Sequence, residues 1–244
     1  TFDIVIPARY ASTRLPGKAL LPIADKPMVA WVWERAIQAG ARHVVIATDD
    51  SRIADEMTAR GAQVAMTRGD HASGTDRLAE VVDQLTWPDD TVIVNLQGDE
   101  PLMPLENIQR VAAMLGETSS ADIATLMEPL DRAVADEPSI VKVVASESGR
   151  AQYFSRAAIP AHAAGREAAP MFRHVGLYAY RAGFLRQFVT WPPAPLELSE
   201  SLEQLRALAQ DVHIQIELAP KPVPAGVDTE ADLEAVRAHM ASGS

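Results

Sequence analysis

Three cations and no acid fall within one short stretch near the start of the sequence, Pro7-Ala-Arg-Tyr-Ala-Ser-Thr-Arg-Leu-Pro-Gly-Lys18: they are Arg9, Arg14 and Lys18. Opposite charges about 4 Å apart attract by about 4 kcal/mol at an effective dielectric of about 20, before desolvation is counted. Several such contacts can hold a triphosphate, arginine gripping as a two-pronged fork and Lys18 acting as a mobile point charge. Backbone amides around residues 11–13 and at Gly17 would cup the remaining oxygens. The plainer reading is an exposed basic loop. Against it stand the glycine after Pro16 and the position directly behind an apolar run, residues 2–6. The stretch matches neither the Walker A pattern nor GxGxxG, so neither a P-loop kinase nor a dinucleotide fingerprint is supported.

Two acids complete a second kind of chemistry. Asp99 lies in Asn95-Leu-Gln-Gly-Asp-Glu-Pro101, where Gly98 lets the backbone turn or approach a ligand and Pro101 stiffens the exit. A carboxylate so presented suits magnesium, which keeps oxygen ligands and several waters while bound to substrate phosphates. Asp228, just before the expected helix cap Thr229, is the second candidate. Either acid alone reads equally as a turn or cap residue; as a pair opposite a cationic loop they point to magnesium. The six histidines show no zinc spacing, and the absence of cysteine excludes disulfides and Cys-ligated metal centres.

Such loops need a scaffold, and the first half of the chain supplies the pattern of one. Residues 2–6, 43–48, 63–66 and 91–95 read as buried strands, and 28–39, 51–60 and 73–85 as helices between them. Leu78, Val81, Val82 and Leu85 fall at three- and four-residue intervals, while Gly40 and Gly61 stop the helices before them. This alternation marks a mostly parallel sheet covered by helices. The second half reads as shorter pieces: helix 105–115, strands 122–127, 140–145, 151–154 and 173–181, helices 182–189 and 200–210, strand 212–218 and helix 229–240. Residues 161–169 read as a mobile loop, and 242–244 as unstructured. In open α/β sheets, ligand groups gather beyond the carboxyl ends of the strands. That rule selects three loops: 7–18, 97–101 and 227–229.

The whole chain, 1–244, reads as a single domain. Its net charge of −11 disfavours a nucleic-acid scaffold or an anionic membrane surface, without forbidding a small anion in a locally positive cleft. The apolar stretches are far shorter than the roughly 20 residues of a membrane span. No signal-like leader is expected, since residues 2–6 already read as a strand, and the expected location is the cytoplasm.

With Ser73-Gly-Thr-Asp-Arg-Leu-Ala-Glu-Val81, Tyr153-Phe-Ser-Arg156, Arg173-His-Val-Gly-Leu-Tyr178, Leu202-Glu-Gln-Leu-Arg206 and Gly226-Val-Asp-Thr229 added to the first two phrases, the chain resembles the 3-deoxy-manno-octulosonate cytidylyltransferases, or CMP-Kdo synthetases, over nearly its full length. The resemblance implies a Rossmann-like, mostly parallel mixed sheet flanked by helices, a smaller sugar-binding and dimerisation lobe at approximately 130–212, and a homodimer. It implies transfer of CMP from CTP to 3-deoxy-D-manno-octulosonate (Kdo), with Mg2+, giving CMP-Kdo and pyrophosphate for lipopolysaccharide synthesis. On the same ground Arg14 and Lys18 resemble the triphosphate ligands, Ala8, Arg9, Ser73 and Gln97 parts of the cytidine site, and Asp99 and Asp228 the metal ligands. Arg156, His174, Tyr178, Glu203 and Gln204 resemble the Kdo site.

Each sugar-side residue also has a bland reading: a surface arginine, a packed His174–Tyr178 pair on one strand face, a solvated helix at Glu203 and Gln204. Trp31 and Trp33 lie on different helix faces and suit packing better than base stacking. Asp76 stands where the family commonly has glutamate, Ala179 where it has glycine, and Leu198-Ser-Glu200 replaces a histidine-isoleucine-glutamate phrase; the loop after His162 is abbreviated. These departures bear on sugar selectivity, so an acylneuraminate or a modified Kdo stays open as the acceptor. Other nucleotidyl transfer and non-catalytic nucleotide sensing are the more distant alternatives.

Overall fold

The computed structural model describes residues 1–12, 14–71 and 73–242. The first apolar run forms strand β1 (Asp3–Pro7), in which Ile4, Val5 and Ile6 are wholly buried. Ile4 and Ile6 join one apolar cluster and Val5 another, because alternate side chains of a strand point to opposite faces and both faces are covered. Burying one such side chain contributes roughly 1.5–3 kcal/mol, so the strand is held by its own composition.

Beyond the cationic loop a tight hairpin, β2 (Pro22–Ile23) with β3 (Lys26–Pro27), leads into helix α1 (Met28–Gln38). The alternation then proceeds as β4 (Val44–Thr48), α2 (Ser51–Ala59), β5 (Gln63–Met66), α3 (Gly74–Gln84), β6 (Val92–Asn95) and α4 (Leu105–Glu117). Strand β1 pairs in parallel with β4 and β6, and β4 with β5. The buried Asp3 secures the first pairing at its base, accepting from Arg42 Nε at 3.0 Å and from the His43 amide at 3.1 Å.

The second half adds β7 (Ile123–Leu130), the hairpin β8 (Lys142–Ala145) and β9 (Ala151–Ser155), and the long β10 (Met171–Arg181). Helices α5 (Ala182–Phe188), α6 (Pro195–Glu200) and α7 (Gln204–Ala209) precede β11 (Ile214–Leu218) and α8 (Glu230–Ala241). Strand β10 runs antiparallel between β6 and β7, β11 joins β7 in parallel, and the β8–β9 hairpin hangs from β10. Among the described residues the result is a nine-stranded mixed sheet, seven strands in the order β11-β7-β10-β6-β1-β4-β5 with β8 and β9 branching from β10. Through β10, residues 153–155 and 173–178 of the phrases expected on the sugar side join the same sheet as β1 and β6, the strands that lead into loops 7–18 and 97–101.

One expected element is corrected. The pattern of residues 200–210 reads as a single helix, but only Gln204–Ala209 of it forms one; Glu200 ends the earlier helix α6, which starts at Pro195, and Ser201 takes the left-handed conformation (φ 51°, ψ 48°) between them. The break lets Leu202 bury itself and points the chain into α7, and the elbow is pinned by Arg206, which donates to Glu197 at 2.9 Å through Nε. The hairpin of β2 and β3 has no signal in the periodicity because each strand is only two residues long. Residues 161–169 lie in an irregular exposed connection, and of the tail expected to be unstructured, 242–244, only Ser242 is among the described residues. The tryptophans behave as packing residues: Trp31 donates from Nε1 to the Ile23 carbonyl at 2.9 Å, and the two rings pack on different clusters.

Two helix starts fix the ends of loops that carry candidate site residues. Ser73 and Asp76 form a reciprocal capping box at α3, and Thr229 and Asp232 form one at α8. Asp232 Oδ2 accepts from the amides of Thr229 at 2.8 Å and of Asp228 at 3.1 Å, which fixes the backbone of the second acid. Replacing Thr229 with alanine removes half of this box and should cost about 1 kcal/mol of stability. Urea unfolding of the variant checks this; an unshifted midpoint would show that α8 starts without its cap.

Candidate active site

The three loops converge. Val227 donates its amide to the Asp99 carbonyl at 2.9 Å, stitching the turn before α8 to the loop after β6. Gly98 lies so close to the first loop that a Cβ there would sit 2.9 Å from the Pro7 carbonyl oxygen, which only glycine avoids without a backbone shift. A cavity of about 360 Å³ opens where they meet, lined by Pro7, Ala8, Arg9, Lys18, Gln97 and Asp228 among others.

The charges in this cleft pair with one another. Lys18 Nζ lies 2.5 Å from Asp99 Oδ2 and 3.2 Å from Asp228 Oδ1, and also donates to the Val227 carbonyl at 3.2 Å. Arg14 reaches the same Asp228 oxygen at 2.9 Å. Only 19% of the Lys18 side chain is exposed against 65% of Arg14, so the lysine is the inner cation and the arginine the rim. Burial works to lower the Lys18 pKa, but the Asp99 and Asp228 carboxylates outweigh it and hold the ammonium above its ordinary value. Next to Asp99, the carboxyl of Glu100 is pushed up to about 8 by burial and then by the charge of Asp99.

Arg9 lines the cleft but spends its guanidinium on the loop before α3, donating from Nη2 to the carbonyls of His71 and Ser73, both at 3.1 Å. Ser73 is the α3 cap, and Gly74 lines the cleft beside it. Gln97 is steadied by Asn95, whose Oδ1 lies 3.3 Å from the Gln97 Nε2. Of the amides expected to cup phosphate, that of Thr13 lies outside the described residues. The Gly17 amide is already bonded to the Tyr10 carbonyl at 3.0 Å and is spent on the loop's own turn.

A second, smaller cavity of about 50 Å³ lies behind α3, lined by Ile123, Tyr178, Tyr180, Phe188, Glu203 and Gln204. A bulge in β10 between Val175 and Tyr178 shortens the strand locally and brings the rings of His174 and Tyr178 to 5.2 Å between centroids. Thr125 on β7 fills the bulge, its hydroxyl within 3.0 Å of the Val175 and Leu177 carbonyls and of His174 Nε2. Burial, then the neighbouring positive Arg173, drives the His174 pKa down to about 3. Burial likewise raises the Tyr178 and Glu203 pKa values, in the latter case against the pull of the Thr75 and Ser73 hydroxyls.

Arg156 is placed apart from these groups. Its guanidinium donates to three backbone carbonyls, those of Glu200 at 2.7 Å, Pro138 at 2.9 Å and Ser201 at 3.3 Å. Below it Lys142, fully buried, donates to the carbonyls of Ile140 at 2.6 Å and Glu137 at 3.0 Å and also holds that of Arg156. Sequence reasoning missed Lys142, Thr75 and Thr125 as supports of the site. A lysine inside an otherwise strand-like run at 140–145 is the signal that could have exposed the first; the two threonines look like ordinary helix and strand residues.

Among the described residues no group of three or more carboxylates, histidines or cysteines is placed to hold a metal unaided. The donor set that does converge, two carboxylates around one cationic point, still fits magnesium, which is held by one or two carboxylates plus substrate phosphates.

These features define a nucleotidyltransferase cleft, and comparison with known proteins narrows it. The family model described as Cytidylyltransferase matches residues 4–214. The 3-deoxy-manno-octulosonate cytidylyltransferase of Hahella chejuensis is 53% identical over 252 residues, spanning 100% of this chain and 99% of that protein. That of Vibrio vulnificus is 52% identical over 251 residues, the full length of both. A solved structure of CMP:2-keto-3-deoxy-manno-octonic acid synthetase complexed with CTP superposes with a TM-score of 0.93 at 44% identity, covering 100% of each chain. A cytidylyltransferase from Leptospira borgpetersenii, at 18% identity and TM-score 0.63, shares the fold. The chain belongs to the 3-deoxy-manno-octulosonate cytidylyltransferase family.

The depressed pKa of His174 has a measurable sign. The unfolded chain takes up this proton near pH 6.5 and the folded chain only near pH 3, so folding loses stability as pH falls through that window. NMR should show the His174 ring neutral from pH 8 to pH 5, and His174→Gln should flatten the decline in stability between pH 7 and pH 5. A His174 resonance titrating near 6.5 would contradict this.

Proposed function

We propose that this protein transfers CMP from CTP to Kdo, releasing pyrophosphate, as a magnesium-dependent step of lipopolysaccharide synthesis. The observation that carries the reading is the meeting of Asp99, Asp228, Lys18 and Arg14 at the floor and rim of one cleft, beside a pocket holding Tyr178, Glu203 and Gln204. The sugar's anomeric hydroxyl at carbon 2 attacks the α-phosphorus of CTP. A new oxygen–phosphorus bond forms there while the bond to the pyrophosphate oxygen breaks on the opposite side.

Such a transfer needs alignment and charge stabilisation rather than a covalent enzyme group. Asp99 and Asp228 are the residues that would hold Mg2+, which when bound neutralises phosphate charge and acidifies a coordinated hydroxyl. Arg14 and Lys18 stabilise the charge passing to pyrophosphate. Ala8, Arg9, Ser73 and Gln97 form the nucleoside side of the cleft. His174, neutral in the physiological range, and Tyr178 donate to or accept from sugar hydroxyls, and Glu203 and Gln204 fix the hydroxyl geometry. Arg156 pairs with the sugar carboxylate, which requires its guanidinium to leave the carbonyls it now holds.

We assign the sugar-side lobe to residues 130–212, which carry all five of these groups, and read the protein as a cytoplasmic homodimer. The lack of cysteine suits a reducing compartment, and the exposed Leu196 and Leu198 of α6 offer an apolar contact face.

Pyrophosphate release measured for CTP and UTP against Kdo, 8-amino-Kdo and neuraminate, with product mass checked, should be greatest for CTP with Kdo. Dominance of another pairing would replace the substrate assigned here. Asp99→Asn should lower turnover by about a hundredfold or more while CTP binding persists. Unchanged turnover at saturating magnesium would remove Asp99 from the metal site.

A further inference from the structure

Helix α3 starts at the nucleotide cleft and has a second connection on its other side. Arg9 holds the Ser73 carbonyl, Ser73 caps the helix and Gly74 lines the cleft. The next residue, Thr75, is 3% exposed and turns away from the cleft. Its hydroxyl donates to Glu203 Oε2 at 2.6 Å, joining residues far apart in sequence. The other carboxylate oxygen of Glu203, Oε1, is buried with no hydrogen-bond partner among the described residues: the Ser73 hydroxyl is near enough to pull on the carboxyl, but its one proton goes to Asp76 Oδ2 at 3.1 Å, and Glu203 lines the small pocket with Tyr178, Tyr180 and Gln204.

We propose that Thr75 is a positioning residue of the acceptor site. It holds Glu203 by one oxygen so that the other stays open for a donor hydroxyl of the acidic sugar, and it fastens that carboxylate to the helix bordering the nucleotide cleft. The inference rests on the proposed function in one respect: that the acceptor sits against Glu203. Buried acceptors are nearly always paired, so an unpaired carboxylate oxygen lining a small, mostly apolar pocket calls for a donor that enters the pocket. The hydroxyl of Thr75 decides which way that oxygen faces.

The test compares Thr75→Val, close in shape but without the hydroxyl, with Thr75→Ser, which keeps it, by steady-state kinetics with CTP and Kdo. Thr75→Val should raise the KM for Kdo about tenfold, the scale of one lost hydrogen bond to a charged group, with kcat and the KM for CTP within about twofold. Thr75→Ser should return to within about threefold of the unaltered enzyme. Adding Thr75→Val to Glu203→Gln should bring no further loss, as for two residues acting through one contact. A KM for Kdo unmoved by Thr75→Val overturns the proposal, as does an equal fall in every kinetic parameter alongside a lowered Tm. If the valine variant does not fold, Thr75→Ala against Thr75→Ser gives the same contrast. Kdo turnover by the unaltered enzyme is the control: its absence overturns the substrate reading, whereas turnover insensitive to Thr75 overturns only this inference.

Discussion

One ammonium group shared by two carboxylates organises this protein. Lys18 reaches Asp99 and Asp228 from a loop at the other end of the sequence from Asp228, and no local pairing could bring those three together. Each must be delivered by its own element. Strand β1 launches the lysine loop, β6 launches Asp99, and the α8 capping box sets Asp228. The parallel pairing of β1 with β6 puts the first two at the same edge of the sheet, because parallel strands end on one side. Asp228 then docks through the Val227 amide, a backbone contact that depends on no side chain. The close approach of Gly98 to Pro7 makes the arrangement rigid, since a side chain there would force the loops apart.

The pocket proposed above for the acceptor sugar uses a different device. A straight strand would set His174 and Tyr178 four residues apart, roughly 13 Å along the chain. The bulge in β10 gathers them into ring contact and turns two carbonyls, those of Val175 and Leu177, toward the single proton of the Thr125 hydroxyl. Helix α3 lies between the two halves, bordering the cleft at Gly74 and bonding the acceptor pocket at Thr75. Adjacent residues of a helix point about a quarter-turn or more apart, so one turn of α3 can serve both sites. The short helices α6 and α7, locked by Glu197 and Arg206, deliver Glu203 and Gln204 at their elbow.

The sequence makes the nucleotide side far more legible than the acceptor side, for physical reasons. Residues 2–6 and 91–95 are short apolar runs followed by polar turns, so the rule that ligands gather at carboxyl ends picks out 7–18 and 97–101, while 227–229 shows as the turn before the last helix. Helix starts are readable from Ser73 with Asp76 and from Thr229 with Asp232, whose side chains act locally. The break at Ser201 is not readable, because a serine in the left-handed conformation is chosen by the burial of Leu202 and the Glu197–Arg206 pair, both tertiary. The same holds for Thr75 and Thr125, whose partners lie on other elements and which look like ordinary helix and strand residues; Lys142 shows only as a lysine inside a strand-like run. Arg156 marks the limit of what a motif conveys: its type suits a sugar carboxylate, yet where its guanidinium rests is set by the carbonyls of Pro138, Glu200 and Ser201.

The charge balance of the cleft bears on the divalent cation proposed for it. The loop that reads as strongly basic in isolation is not so in the fold, because Lys18 and Arg14 face Asp99 and Asp228, two cations against two acids. Arg9 keeps its charge but directs its donors at backbone carbonyls. A triphosphate entering such a cleft meets little net positive charge, inside a protein of net charge −11. Desolvating that much anion without compensation is unfavourable by several kcal/mol, roughly the effective penalty per buried ion. Asp99 and Asp228, as the residues proposed to hold Mg2+, would give up their pairing with Lys18 and Arg14 to do so, and the ion would bring positive charge of its own. The pairing that neutralises the cleft would then leave both cations to face the phosphates when metal and nucleotide are bound together.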